Sequence, residues 1–120
     1  MSAYIDISIK ANSNEDANKA ASIMKETASK RTPEYPTEIE KFIADITVDG
    51  NTVKVDESYS LMSDTFSELI PQIMRNIADH GIKAITMEAW FTSLNCGYEA
   101  EFCGRVFKNG NCRTSFKEFE

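Results

Sequence analysis

Six apolar residues, Phe66, Leu69, Ile70, Ile73, Met74 and Ile77, recur at i, i+3, i+4, i+7, i+8 and i+11. That spacing gathers them into one stripe of an amphipathic α-helix. Gly81, after Asp79 and His80, is placed to end the helix as a C′ residue. Such a stripe is buried only against a second apolar surface, so the rest of the chain must supply a layer for it to cover. Pro71 complicates the helix, because an interior proline costs about 3 kcal/mol. It is expected in the first turn, with Ser67 or an earlier Ser or Thr as the cap, or else at a bend.

The remaining apolar residues mostly alternate, which is the pattern of a half-buried strand. In residues 4–10, Ile5, Ile7 and Ile9 fall on one face and Asp6, Ser8 and Lys10 on the other. Ser13 and Asp16 then make a capping-box-like start, and Ala17, Ala20, Ala21, Met24 and Ala28 carry a helix to about Lys30. Thr32–Thr37 reads as a loop, since its two prolines push the preceding residues out of the helical region. A strand with Phe42, Ala44, Ile46 and Val48 on one side is expected next. A two-residue type II′ turn at Gly50-Asn51 would pair it with a strand bearing Val53, Val55, Tyr59 and Leu61.

Beyond the second helix, Ile85, Met87, Ala89 and Phe91 alternate through residues 82–94, and residues 98–107 and 112–119 form a final hairpin. A three-residue loop, Lys108-Asn109-Gly110 with Gly110 left-handed, aligns Val106 with Cys112 and Phe102 with Phe116, and sets Glu101 beside Lys117. A two-residue turn would set Val106 against Arg113 and mix the faces. The order β-α-β-β-α-β-β-β predicts an α+β protein, a ferredoxin-like two-layer sandwich with two helices on one face of an antiparallel sheet enlarged by the C-terminal hairpin. At 120 residues, 42% of them hydrophobic, the chain is expected to form a single domain, residues 1–120.

The N-terminus has neither a basic region nor an apolar core of a signal peptide, and no apolar run approaches the roughly 20 residues of a membrane span. Three cysteines, Cys96, Cys103 and Cys112, make a poor disulfide framework but suit a reducing compartment, so a cytoplasmic location is expected, with no membrane partner. Their intervals of seven and nine residues do not fit a zinc knuckle with His80, the single histidine. His80 lacks a predictable catalytic partner, and a cation there suits the carboxyl end of a helix. No Gly-rich phosphate loop, metalloprotease signature or serine elbow occurs, so neither a cofactor nor a catalytic residue is assigned.

The net charge is −6, and residues 34–57, with seven acidic and two basic side chains, hold most of it. This argues against direct binding of nucleic acid, which needs clustered Lys and Arg. In the expected hairpin Asp45 faces Asp56, and like charges paired across strands are destabilising. Lys54 offers diagonal relief, or the acidic face awaits a basic partner; two carboxylates alone make a poor cation site. If Ile85 to Phe91 pack under the helices, Trp90 must point to the uncovered sheet face, alongside Ile43 and Phe107, unless the last hairpin curls over it.

The expected partner-binding residues are therefore Asp45, Asp49, Asp56, Glu57, Trp90, Glu99 and Glu101. The expected function is a non-catalytic acidic binding protein, an inhibitor or immunity-type protein that neutralises a basic enzyme such as a nuclease. A small enzyme or small-molecule binder is the alternative, and a subunit that self-assembles, as a homodimer for instance, is a third.

Overall fold

The computed structural model describes residues 3–30, 36–59, 63–83, 85–93 and 99–119. The alternating residues at the start form strand β1 (Ala3–Lys10), with Ile5, Ile7 and Ile9 wholly buried. Ser13 caps helix α1 (Asn14–Ser29), its hydroxyl accepting from the Asp16 amide at 3.1 Å. All five of the expected apolar positions of α1 are buried, as are Ile23 and Thr27.

The next segment departs from expectation. Residues Pro36–Asp45 form a helix, α2, where the sequence predicts a loop and then a strand. Only Thr47–Asp49 remain extended, as β2, before β3 (Thr52–Tyr59). Phe42 and Ile46 lie four residues apart, a spacing that fits both an alternating strand and one helix face. Ile39 and Ile43 complete the helical set at i, i+3, i+4 and i+7, and Ile39, Phe42 and Ile46 are buried. Pro36 favours this outcome, because in the first turn of a helix it has no amide to leave unpaired and its fixed φ is already helical. Ile43 is thus a helix residue packed against the core and does not belong to the uncovered face of the sheet. The register across the turn that follows is as expected, with Val48 opposite Val53 and Asp49 opposite Thr52, and Gly50 takes φ 61°.

Helix α3 (Ser63–Asp79) begins earlier than Pro71 permits for a first-turn proline, so Pro71 sits in its interior. Leu69, Ile70, Ile73, Met74 and Ile77 are wholly buried. At roughly 1.5–3 kcal/mol for each such side chain, their burial offsets the helical bond that Pro71 forgoes. The helix closes in a Schellman motif: the Gly81 amide donates to the Ala78 carbonyl at 3.0 Å and the Ile82 amide to Ile77 at 3.4 Å, with Gly81 at φ 79°. Strands β4 (Ile85–Ser93), β5 (Glu99–Val106) and β6 (Cys112–Phe119) complete the chain. The last hairpin has the expected register, with Val106 opposite Cys112, Phe102 opposite Phe116, and Gly110 at φ 89°. A turn bond from the Gly110 amide to the Phe107 carbonyl, 2.9 Å, closes the loop.

The result is an α+β protein whose described residues form one six-stranded antiparallel sheet in the order β2-β3-β1-β4-β5-β6 and three helices, one more than the sequence predicts. Helix α1 lies between α2 and α3 and touches both; α2 and α1 cover β3, and α3 covers β4, β5 and β6. Side chains of one parity, Ile5, Ile7 and Ile9, Val53 and Val55, Ile85, Met87 and Ala89, and Val106, join the helices in a single apolar core. Residues 31–35, Leu61 and Cys96 lie outside the described residues.

Candidate functional site on the open sheet face

Strand pairing lines up the side chains of the other parity in rows across the sheet, about 5 Å apart from strand to strand. One row runs Asp56 on β3, Asp6 on β1, Trp90 on β4 and Glu101 on β5, with Lys117 of β6 at the next register position. The second runs Lys54, Ser8, Glu88, Cys103 and Ser115, and the third Thr52, Lys10, Thr86, Arg105 and Arg113. No described side chain of this parity is buried. The last hairpin therefore continues the sheet in its own plane and does not curl over this face, and Trp90 is 41% exposed.

The seven residues expected to bind a partner do not form one patch. Trp90, Asp56 and Glu101 share the first row, as their parity dictates. Asp45 leaves the hairpin altogether. It ends α2, and instead of facing Asp56 it accepts a 2.7 Å hydrogen bond from the Tyr59 hydroxyl. Glu57 pairs with Ile5 and so has the helix-side parity, one position out of step with Asp56. Asp49 is exposed beside the Gly50-Asn51 turn. Glu99 sits at the end of β5, in register with Thr92 and Phe119. The acidic segment of the sequence is thus divided between the two sides of the sheet.

Asp6 takes the place expected of Asp45. It lies directly opposite Asp56 across the β1–β3 pair, and the Tyr4 hydroxyl donates to the Asp56 carboxylate. Alternation alone sends Asp6 outward; that it stands between Asp56 and Trp90 follows from the central position of β1, which no local signal encodes. The third row gathers Lys10, Arg105 and Arg113 on this face despite the net negative charge.

Tyr59 is buried and makes an edge-to-face contact with Phe42, ring centroids 5.6 Å apart. The Lys41 ammonium lies 4.9 Å from the same ring and donates to the Ser58 carbonyl at 2.7 Å. Burial, then the bond to Asp45 and its charge, then Glu57 and Glu38, push the Tyr59 hydroxyl well above the ordinary tyrosine range. Burial followed by the Glu101 charge raises the Cys103 thiol, and burial raises Cys112 despite the opposing Arg75 guanidinium. Thiols so shifted are poorer nucleophiles at neutral pH. The two cysteines have opposite parity in the hairpin.

His80 sits just past α3, its ring Nδ1 2.7 Å from the Asn76 carbonyl oxygen, at the edge of an open cleft of about 700 Å³ beside α1. Among the described residues, no group of three or more His, Cys, Asp or Glu side chains is placed to hold a metal ion. No described helix is long and apolar enough to cross a membrane. The chain matches no family model, no curated protein and no solved structure.

Proposed function

We propose that the chain is a non-catalytic binding protein whose open sheet face receives a basic protein surface, and that it acts as an inhibitor or immunity-type protein on a basic, nucleic-acid-handling enzyme. The strand order β2-β3-β1-β4 is read here as a ferredoxin-like unit, with β5 and β6 widening it into a platform. The observation that carries the proposal is the row Asp56, Asp6, Trp90 and Glu101, in which an exposed indole has carboxylates on both sides. An aromatic anchor amid acids suits a basic surface: the indole supplies area that a partner's side chains can cover, and the acids speed encounter. The opposed Asp6 and Asp56 also repel one another in the free protein, a cost that an incoming Lys or Arg would relieve.

The test uses the basic protein retained by the immobilised chain at low salt from its native host. Replacing Asp6, Asp56 and Glu101 by Lys should slow association and flatten its salt dependence, while Trp90→Ala should mainly speed dissociation. Unchanged rates and an unchanged salt slope in the triple variant would remove the proposal. Asp45→Lys and Glu57→Lys are the contrast, since those residues lie off the row.

A further inference from the structure

The third row of the open face carries an unusual juxtaposition. Arg105 and Arg113 are directly opposed on β5 and β6, and both are exposed. Like charges in that position repel. Among the described residues neither arginine is in a salt bridge, the ion pairs being Lys19–Glu15 within α1 and Lys30–Glu26 at its carboxyl end. Instead both guanidinium groups lie against one ring, that of Phe107, at 4.9 and 5.7 Å from its centroid. The ring quadrupole attracts each cation and so holds two mutually repelling forks at one place. Lys10 stands in the same row, two strands away.

Beside them opens a cleft of about 450 Å³, lined by Thr86, Arg105, Arg113 and Phe107 and, from the second row, by Glu88, Cys103 and Ser115. That volume is in the range of small-molecule sites. Guanidinium forks match the oxygens of a phosphate and can each donate two hydrogen bonds, and the hydroxyls of Thr86 and Ser115 add donors. Glu88, in the neighbouring row of the same face, brings the opposite charge to the same cleft. We infer that this cleft binds a small phosphomonoester, its phosphate held between Arg105 and Arg113 and the rest of the molecule, neutral or cationic, turned toward Glu88. This goes beyond the proposed protein partner and uses a different row of the face.

The experiment is a titration of the ¹⁵N-labelled protein followed by amide shifts, with inorganic phosphate and phosphoethanolamine as separate probes at constant ionic strength. Saturable shifts confined to residues 86–88, 103–107 and 113–115 are expected, with phosphoethanolamine the tighter of the two. Arg105→Ala and Arg113→Ala should each weaken binding by about ten-fold or more, because charge-assisted bonds are lost. Glu88→Gln should tighten inorganic phosphate and remove the preference for the amine. Arg113→Gln serves as a second variant should Arg113→Ala fail to fold. Non-saturating shifts, shifts of equal size around Lys19 and Lys41, or arginine variants that bind as well as the parent would overturn the inference. The Asp6, Asp56 and Glu101 variants should leave phosphate affinity no weaker, so the outcome is read independently of the protein-binding proposal.

Discussion

Tyr59→Phe probes the seating of α2 on β3 with the removal of one atom. The ring stays, and with it the contacts to Phe42 and Lys41; only the hydroxyl that donates to Asp45 at 2.7 Å is lost. A hydrogen bond to a charged acceptor contributes roughly 1.5–3 kcal/mol, and because Asp45 is half-buried and can recover water, about 1.5 kcal/mol is expected. For a chain of 120 residues this lowers Tm by about 6 °C.

The pH dependence gives a sharper signature. The folded-state pKa of Tyr59 lies above its ordinary value of about 10. Below that value both states keep the proton and the stabilisation is complete. As pH rises further the unfolded chain releases the proton while the folded one retains it, so this group removes about 1.4 kcal/mol of stability per pH unit. The phenylalanine variant has no such proton. The stability difference between the two proteins should therefore shrink from about 1.5 kcal/mol at neutral pH to near zero by about pH 11. Urea unfolding followed by circular dichroism across that range measures it. A difference that is absent at neutral pH, or that stays constant as pH rises, would mean that Tyr59 does not bond Asp45, and that residues 36–45 do not pack on β3 as a helix.

Other expectations concern the helix layer. Thr27 is a buried polar residue whose hydroxyl donates to the Ile23 carbonyl at 2.7 Å and accepts from the Asn76 side chain at 2.9 Å, tying α1 to α3. Thr27→Val should cost about 1–2 kcal/mol, and a double-mutant cycle with Asn76→Ala should show coupling of at least about 0.5 kcal/mol; additive losses would argue against the bond. Gly81→Ala should cost about 1 kcal/mol in thermal unfolding, because φ 79° is strained for any residue with a Cβ, although open space surrounds the position.

Most elements were legible because their periodicity is unambiguous over many residues. The isoleucines of β1, the alanine face of α1, the stripe of α3 and the turn chemistry around Gly110 each point to one structure. The segment 36–45 was not, since Phe42 and Ile46 serve either periodicity and Pro36, read as a breaker, is an initiator. The site was legible only by parity. Trp90 could be oriented from its buried neighbours, and Glu101 was placed by the hairpin register. Which acids surround Trp90, and that Lys10, Arg105 and Arg113 share one row of its face, depend on pairings between strands far apart in the chain, for which a single sequence carries no signal.

The central position of β1 also bears on how the molecule is made. Ile7 pairs with Val55 on one side and with Ala89 on the other. Strand β1 leaves the ribosome ahead of both its partners and is thus among the last to be fully paired. From Lys10 to Ile85 is 75 residues, so at roughly 5–20 residues per second the strand waits about 4 to 15 s for its second partner to be synthesised. Until then Ile5, Ile7 and Ile9 belong to a half-built sheet, and only the β2–β3 hairpin and the helices are available to shelter them. Loop closure over such separations is slow and favours late, cooperative assembly. A nascent chain halted before Ile85 should remain sensitive to protease throughout, and acquire resistance in one step once β4 has cleared the exit tunnel.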